Sequence, residues 1–293
     1  MSLSAELAAK RDVLLALIQS YGRCAVAFSG GVDSCVVAKA AQLAIGDRAQ
    51  AVTGVSESLA EGELEQASRV AQLIGIRHQA LTTGEVSQPD YAKNDANRCY
   101  HCKTELYDQI ARIPEVAGAR ILNGANVDDL GDYRPGMQAA AEHNVCSPLA
   151  QCGFSKSDVR QLARHWDLPT WDKPASPCLA SRVAYGQEVT PARLQMIDQA
   201  EQYLRGLGLR TVRVRYHAGD LARLEVPVED LARLAEPQQG RLIAQKLKGL
   251  GFKYVTLDLE GFRSGSQNYV LPVEVLLKTA PLSVSSPAAE SGR

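Results

Sequence analysis

Ser29-Gly30-Gly31-Val32-Asp33-Ser34 limits what this chain can become more than any other stretch. The apolar run Cys24 to Phe28 leads into it and the apolar-periodic run Cys35 to Ala44 leads out. A buried strand that bends through two glycines into a helix aims free backbone N–H groups, and the positive end of the helix dipole, at whatever sits above the bend. That is a cradle for phosphate. Gly30 and Gly31 can take positive φ and leave no side chain between backbone and ligand, while the Ser29 and Ser34 hydroxyls can add donors. The loop has neither the lysine of a Walker A motif nor GxGxxG spacing, which disfavours a γ-phosphate-cleaving P-loop and a dinucleotide fold. The plainer alternative is a Gly-rich turn with Asp33 and Ser34 capping a helix.

The pattern around this bend predicts strands at 23–28, 49–55, 77–81, 119–123 and 144–147, alternating with helices at 34–45, 60–74, 99–112, 134–143 and 155–166. Such alternation calls for right-handed crossovers onto a mostly parallel sheet covered on both faces. Ligands then sit at the carboxyl ends of the strands, so the loops beginning at Ser29, Ser56, Thr82 and Gly124 share one rim. Ser56, just past the second strand, is expected where adenine would rest against main-chain groups. The loop Gly124 to Gly136 carries Asp128, Asp129, Asp132 and Arg134, which suits a grip on magnesium or an adenylate; it could equally be a solvated acidic turn before a helix.

Three prolines in Pro169 to Pro177 exclude helix, and beyond them the pattern changes. Helical signals at 191–206 and 229–249 interleave with short alternating strands at 210–216, 221–226 and 253–259. The expected organisation is an α/β domain over 1–175, a smaller α+β domain over 176–279, and a frayed tail over 280–293, too poor in apolar residues to pack.

A net charge of −1 gives no electrostatic footprint for a long polyanion, so nucleic acid is not the expected partner. No apolar run approaches the ~20 residues needed to span a bilayer, and residues 1–20, with Glu6, Lys10, Arg11 and Asp12, lack the uninterrupted apolar core of a signal peptide. Seven cysteines, an odd number without a secretory signal, fit a reducing cytoplasm better than a disulfide framework. Cys24, Cys35, Cys146 and Cys152 fall in or beside apolar runs and read as packing residues.

Cys99-Tyr100-His101-Cys102 lies where a loop enters a helix, with Arg98 and Lys103 beside it, so both thiols are expected to be more acidic than a free thiol. One CxxC is half a metal site; Cys178, in Pro177-Cys178-Leu179-Ala180-Ser181-Arg182, offers a third sulfur. Three cysteines would leave one iron of an iron–sulfur cluster open to another ligand. A redox pair and simple packing stay open beside that reading. Cys178, held between a rigid proline loop and Arg182, is presented for thiolate chemistry.

Ser29 to Ser34 resembles the SGGxDS signature of the PP-loop ATP pyrophosphatases. Together with Gly124 to Gly136, Pro177 to Arg182, Gly219-Asp220-Leu221-Ala222-Arg223-Leu224-Glu225-Val226-Pro227 and Leu257 to Ser266, it resembles the LarE family of ATP-dependent sulfur transferases over nearly the whole chain. The resemblance implies a PP-loop α/β fold with a second α+β domain, ATP held by Ser29, Gly30, Gly31, Asp33, Ser34, Ser56, Gly124 and Asp128, and Mg²⁺ held on the phosphates with help from Asp33. It implies a role in nickel-pincer nucleotide cofactor synthesis, converting carboxyls of a pyridinium dicarboxylate mononucleotide to thiocarboxyls. Cys178 is then either a sacrificed sulfur donor or, with Cys99 and Cys102, a ligand of a 4Fe-4S cluster. The family also suggests a homo-oligomer.

Arg213 and Arg215 alternate with Val212 and Val214, so both guanidinium groups leave one strand face and could clamp a substrate phosphate; they could also be plain surface charges. Arg182 and Arg263 are further anion-site candidates. Glu201 and Glu225 are expected to approach each other near them as metal or substrate contacts.

Overall fold

The computed structural model describes residues 3–130 and 135–263. Four strands, β1 (Cys24–Ala27), β2 (Ala49–Val55), β3 (Arg77–Thr82) and β4 (Arg120–Leu122), form an all-parallel sheet in the order β3-β2-β1-β4. Register pairs Cys24 with Ala49 on one side and with Arg120 on the other. Among the described residues, eight α-helices and single turns accompany this sheet: α1 (Ala5–Ser20), α2 (Val32–Ile45), α3 (Glu63–Ile74), α4 (Pro89–Ala92), α5 (Arg98–Ala111), α6 (Pro135–Glu142), α7 (Pro148–Gln151) and α8 (Lys156–His165).

Period-2 alternation along β1 sends its side chains into two different cores. Cys24 and Val26 pack with Leu14 and Ile18 of α1, Val36 and Val37 of α2, Val70 of α3 and Leu162 of α8. Ala25 joins Val52, Ile110 and Val116 on the opposite face. Burial on both faces explains why β1 reads as a continuous apolar run. β3, at the edge, is only partly buried.

A second, three-stranded sheet follows the proline-rich linker: β5 (Arg213–His217), β6 (Leu221–Glu225) and β7 (Tyr254–Leu257), in the order β5-β6-β7. β5 and β6 are antiparallel; β6 and β7 are parallel. Helices α9 (Pro191–Gly206), α10 (Val228–Ala235) and α11 (Pro237–Gly249) complete this part. Leu194, Ile197 and Leu204 of α9 and Ile243 and Leu247 of α11 pack on Val214, Tyr216, Ala222 and Leu224. Val86 and Tyr91 enter the same cluster, so apolar contact joins the two sheets' surroundings.

Three expectations need correction. Residues 144–147 contribute only an isolated parallel bridge, Leu122 to Cys146, because Pro148 cuts the segment off. The helical signal over 229–249 is two helices, broken where Glu236 turns extended before Pro237. Helix α3 begins at Glu63 and not at 60, since Gly62 is left-handed at φ +83°. The expected tail over 280–293 lies outside the described residues.

Candidate active site

The bend after β1 has the conformation its glycines permit. Gly30 sits at φ +67°, while Gly31 is extended and caps α2. The two serine hydroxyls are used inside the loop: Ser34 Oγ donates to Gly31 O at 3.0 Å and accepts from Ser29 N at 3.2 Å, and the two Oγ atoms lie 3.2 Å apart. They brace the bend so that the amides of the first turn of α2 face the rim. Gly124 packs against that turn so closely that a Cβ there would fall 2.9 Å from Ser34 N and 3.0 Å from Asp33 Cβ.

Asp33 is gripped by two side chains from that rim. Asn126 Nδ2 donates to Oδ1 at 3.0 Å, and Lys156 Nζ meets Oδ2 at 2.5 Å. Lys156 is also held by its backbone, whose N–H donates to Asp128 Oδ2 at 2.7 Å. Asp128 thus anchors the lysine, and the loop 124–130 and the start of α8 close around Asp33. Sequence reasoning missed Lys156. Its signal was there: Ser155 and Asp158 form a capping box that fixes the start of α8 and puts Lys156 in its first turn.

The Ser56 hydroxyl donates to Glu85 Oε1 at 2.6 Å. From the same loop, Ser58 O accepts from Leu179 N at 2.8 Å, and Ser58 Oγ pairs with Tyr91 OH at 2.6 Å. The Cys178 segment is therefore hydrogen-bonded to the rim of the parallel sheet. Arg98, at the start of α5, adds a second tie: its Nη1 donates to Ala180 O at 2.9 Å and to Asn94 Oδ1.

These ties bring the three cysteines into one neighbourhood. Cys99 and Cys178 are exposed and Cys102 is half-buried. Each of the other two thiols acts electrostatically on Cys102, and all three act on Lys103. The expected acidity fails at Cys102: burial pushes its thiol up to about 12, and the thiols of Cys178 and Cys99 and the carboxylate of Glu85 add to the shift against Lys103. Desolvation outweighs the helix terminus there. Among the described residues, no three His, Cys, Asp or Glu side chains are grouped to hold a metal ion.

In and around the second sheet, arginines gather on two buried glutamates. Glu201 is fully buried and accepts from Arg182 Nε at 2.9 Å, Arg205 Nη2 at 2.7 Å and Val214 N at 3.1 Å. Glu225, equally buried, accepts from Arg215 Nη2 at 2.7 Å and Arg223 Nη2 at 3.0 Å. The two carboxylates serve different arginines. Arg182 does not face outward; it is 1% exposed, and its Nη1 donates to the carbonyls of Pro177 and Cys178, which fixes the backbone on either side of the thiol. Arg263 pairs with Glu260 at 2.6 Å and Asp258 at 3.5 Å.

Arg213 differs from its neighbours. Its guanidinium donates to two backbone carbonyls, Val212 O at 2.9 Å and Ala175 O at 3.0 Å, and lies 5.5 Å from the Phe262 ring. Burial and the nearby Arg182, Arg215 and Arg205, only partly offset by Glu201, push it down to about 10. A cation so placed gains from an anion.

Residues 13–114 match the Asparagine synthase family. The chain is 38% identical over 269 residues to the pyridinium-3,5-bisthiocarboxylic acid mononucleotide synthase of Lactiplantibacillus plantarum, covering 91% of this chain and 96% of the relative. It is 48% identical over 250 residues to an uncharacterised Synechocystis protein, slr1717, covering 85% and 93%. A GMP synthase of Aeropyrum pernix is 27% identical over 205 residues, 61% of this chain but 38% of that protein. With its diglycine bend at the carboxyl edge of a parallel sheet and kinship extending through the second sheet, the chain belongs to the LarE family of PP-loop ATP-dependent sulfur transferases.

Proposed function

We propose that this enzyme adenylates the carboxyl groups of pyridinium-3,5-biscarboxylic acid mononucleotide and replaces the activated oxygen with sulfur. The observation that carries the reading is the hydrogen bond from Leu179 N to Ser58 O, which ties the Cys178 loop to the nucleotide-binding rim. A carboxylate resists substitution because oxide is a prohibitive leaving group. Attack of its oxygen on the α-phosphorus of ATP expels pyrophosphate, and the amides of the Gly30-Gly31 bend stabilise charge on the phosphates. Sulfur then attacks the acyl carbon, the bond to AMP breaks, and AMP leaves with the electron pair.

In this reading Asp33, with Asp128 nearby, helps hold Mg²⁺ on the phosphates. A cation there would compete with Lys156 for the Asp33 carboxylate and free the ammonium to face phosphate oxygen. Arg213 takes the substrate phosphate, with Arg215 beside it on the same strand face; Glu201 and Glu225 hold the arginines in place, and Arg182 holds the Cys178 loop. The division into domains falls near residue 176, in the linker.

Three thiols in one neighbourhood are the right donors for a 4Fe-4S cluster, and Cys99, Cys102 and Cys178 would hold it, after the thiols draw closer than they stand here. Bound there, such a cluster would supply an open iron site for an external sulfur ligand. A second reading, in which Cys178 gives up its own sulfur, is favoured by the exposure of that thiol. Incubating the protein with ATP, Mg²⁺ and the dicarboxylate mononucleotide is expected to release AMP and pyrophosphate and to yield thiocarboxylate; nucleotide binding without either product would refute the function. Intact mass and anaerobic visible absorption separate the sulfur sources: loss of H₂S mass at Cys178 marks sacrifice, and charge-transfer absorption abolished by Cys99→Ala marks the cluster.

A further inference from the structure

Helix α3 touches both parts of the chemistry. Its residues Glu63, Gln66 and Ala67 share one face, being three and four positions apart. A Cβ on Gly30 would lie 3.2 Å from both Cα and Cβ of Ala67, so the helix backs directly onto the bend. One turn earlier, Glu63 Oε2 accepts from Lys173 Nζ at 2.9 Å and Glu63 Oε1 accepts from Ser176 Oγ at 3.1 Å. Gln66 Oε1 takes a second bond from Lys173 Nζ at 2.7 Å.

Lys173 and Ser176 belong to the proline-containing linker that ends at Cys178. The Lys173 and Glu63 side chains are only 16% and 22% exposed, so water screens the pair weakly. Arg213 also holds Ala175 O, and Arg182 holds the Cys178 carbonyl. Two short, stiff connections thus run from one helix, one to the phosphate bend and one to the sulfur linker.

We infer that Glu63 is a positioning residue: through Lys173 and Ser176 it fixes the linker that presents Cys178, and because its helix backs Gly30, nucleotide bound at the bend alters how Cys178 is presented. Filling the bend presses Gly30 toward Ala67, and a packed helix moves as a body instead of deforming. The inference rests on the nucleotide reading of the bend.

The test uses the full chain with α,β-methylene-ATP and Mg²⁺, measuring nucleotide affinity by calorimetry and Cys178 alkylation by iodoacetamide with peptide mass spectrometry, Cys99 being the internal reference. Nucleotide is expected to change the Cys178 rate by about 5-fold or more in the wild type. Glu63→Ala and Lys173→Met should each abolish the change while nucleotide affinity is kept, and the double variant should lose nothing further. Ser176→Ala, which removes a single hydroxyl bond, should weaken the response and keeps the test readable if removing a charge disturbs the fold. A wild-type chain that binds nucleotide with no change at Cys178, or a Glu63→Ala chain with the full response, overturns the inference. Absence of nucleotide binding in the wild type refutes the reading of the bend and the inference with it.

Discussion

Replacing Gly30 or Gly31 by alanine adds the same methyl group to adjacent residues, yet the outcomes should differ sharply. At Gly30 the backbone is left-handed, which costs an L-residue roughly 1–2 kcal/mol. The new Cβ would also press on Ala67 Cα and Cβ at 3.2 Å, in a helix residue only 1% exposed, where overpacking costs roughly 1–3 kcal/mol. Together these give a destabilisation of roughly 2–5 kcal/mol, a fall in Tm of about 2–4 °C per kcal/mol. At Gly31, φ is −81° and a Cβ would meet only Ser29 Oγ, at 3.3 Å, a hydroxyl that can rotate. Gly31→Ala should therefore change stability by less than about 1 kcal/mol, since alanine also restricts the unfolded chain. Its methyl nevertheless enters the space over the bend, so ATP affinity should fall. Urea denaturation and calorimetric ATP titration of the two variants decide the matter. Equal stability losses, or a Gly30→Ala protein within 1 kcal/mol of wild type, would refute the argument from φ and contact.

Lys156→Met should leave stability nearly unchanged, because the pair with Asp33 is partly exposed, while pyrophosphate release slows by about 10-fold or more; an unchanged rate would remove the lysine from the site. Arg182→Met leaves Glu201 fully buried with one fewer cation and should cost on the order of 3–5 kcal/mol, measured by urea unfolding; a loss under 1 kcal/mol would show that Arg205 alone suffices. Burial lowers the pKa of His78, and burial with Arg223 and Arg215 lowers that of His217. Both imidazoles bind protons more weakly folded than unfolded, so their contribution is complete above about pH 6.5 and declines as pH falls below it. Thermal midpoints should drop on acidification across that range, and a His78→Gln/His217→Gln chain should show a flatter profile; an identical slope would refute the assignment.

The apolar run, two glycines and apolar-periodic run at Cys24 to Ala44 determined the strand, bend and helix from sequence, because strand period, turn chemistry and helix period are local properties that need no partner. The rim loops at Ser56 and Gly124 followed from the rule that ligands lie beyond the carboxyl ends of parallel strands. What local pattern could not decide is which charged groups meet. Arg182 and Glu201, both expected in the site, are buried against each other, and the arginine also donates to the carbonyls beside Cys178. The hydroxyl of Ser56, expected on the rim near adenine, bonds Glu85, 29 positions away. Cys102 was expected to be acidic at a helix start, but desolvation, which depends on everything packed around it, reversed the sign. Lys156 reached Asp33 across 123 positions of sequence. Sequence thus determined the bend, the sheet and the family signature, whereas burial and long-range ion pairing, set only when α3, α8 and α9 pack, decided which side chains are free to act.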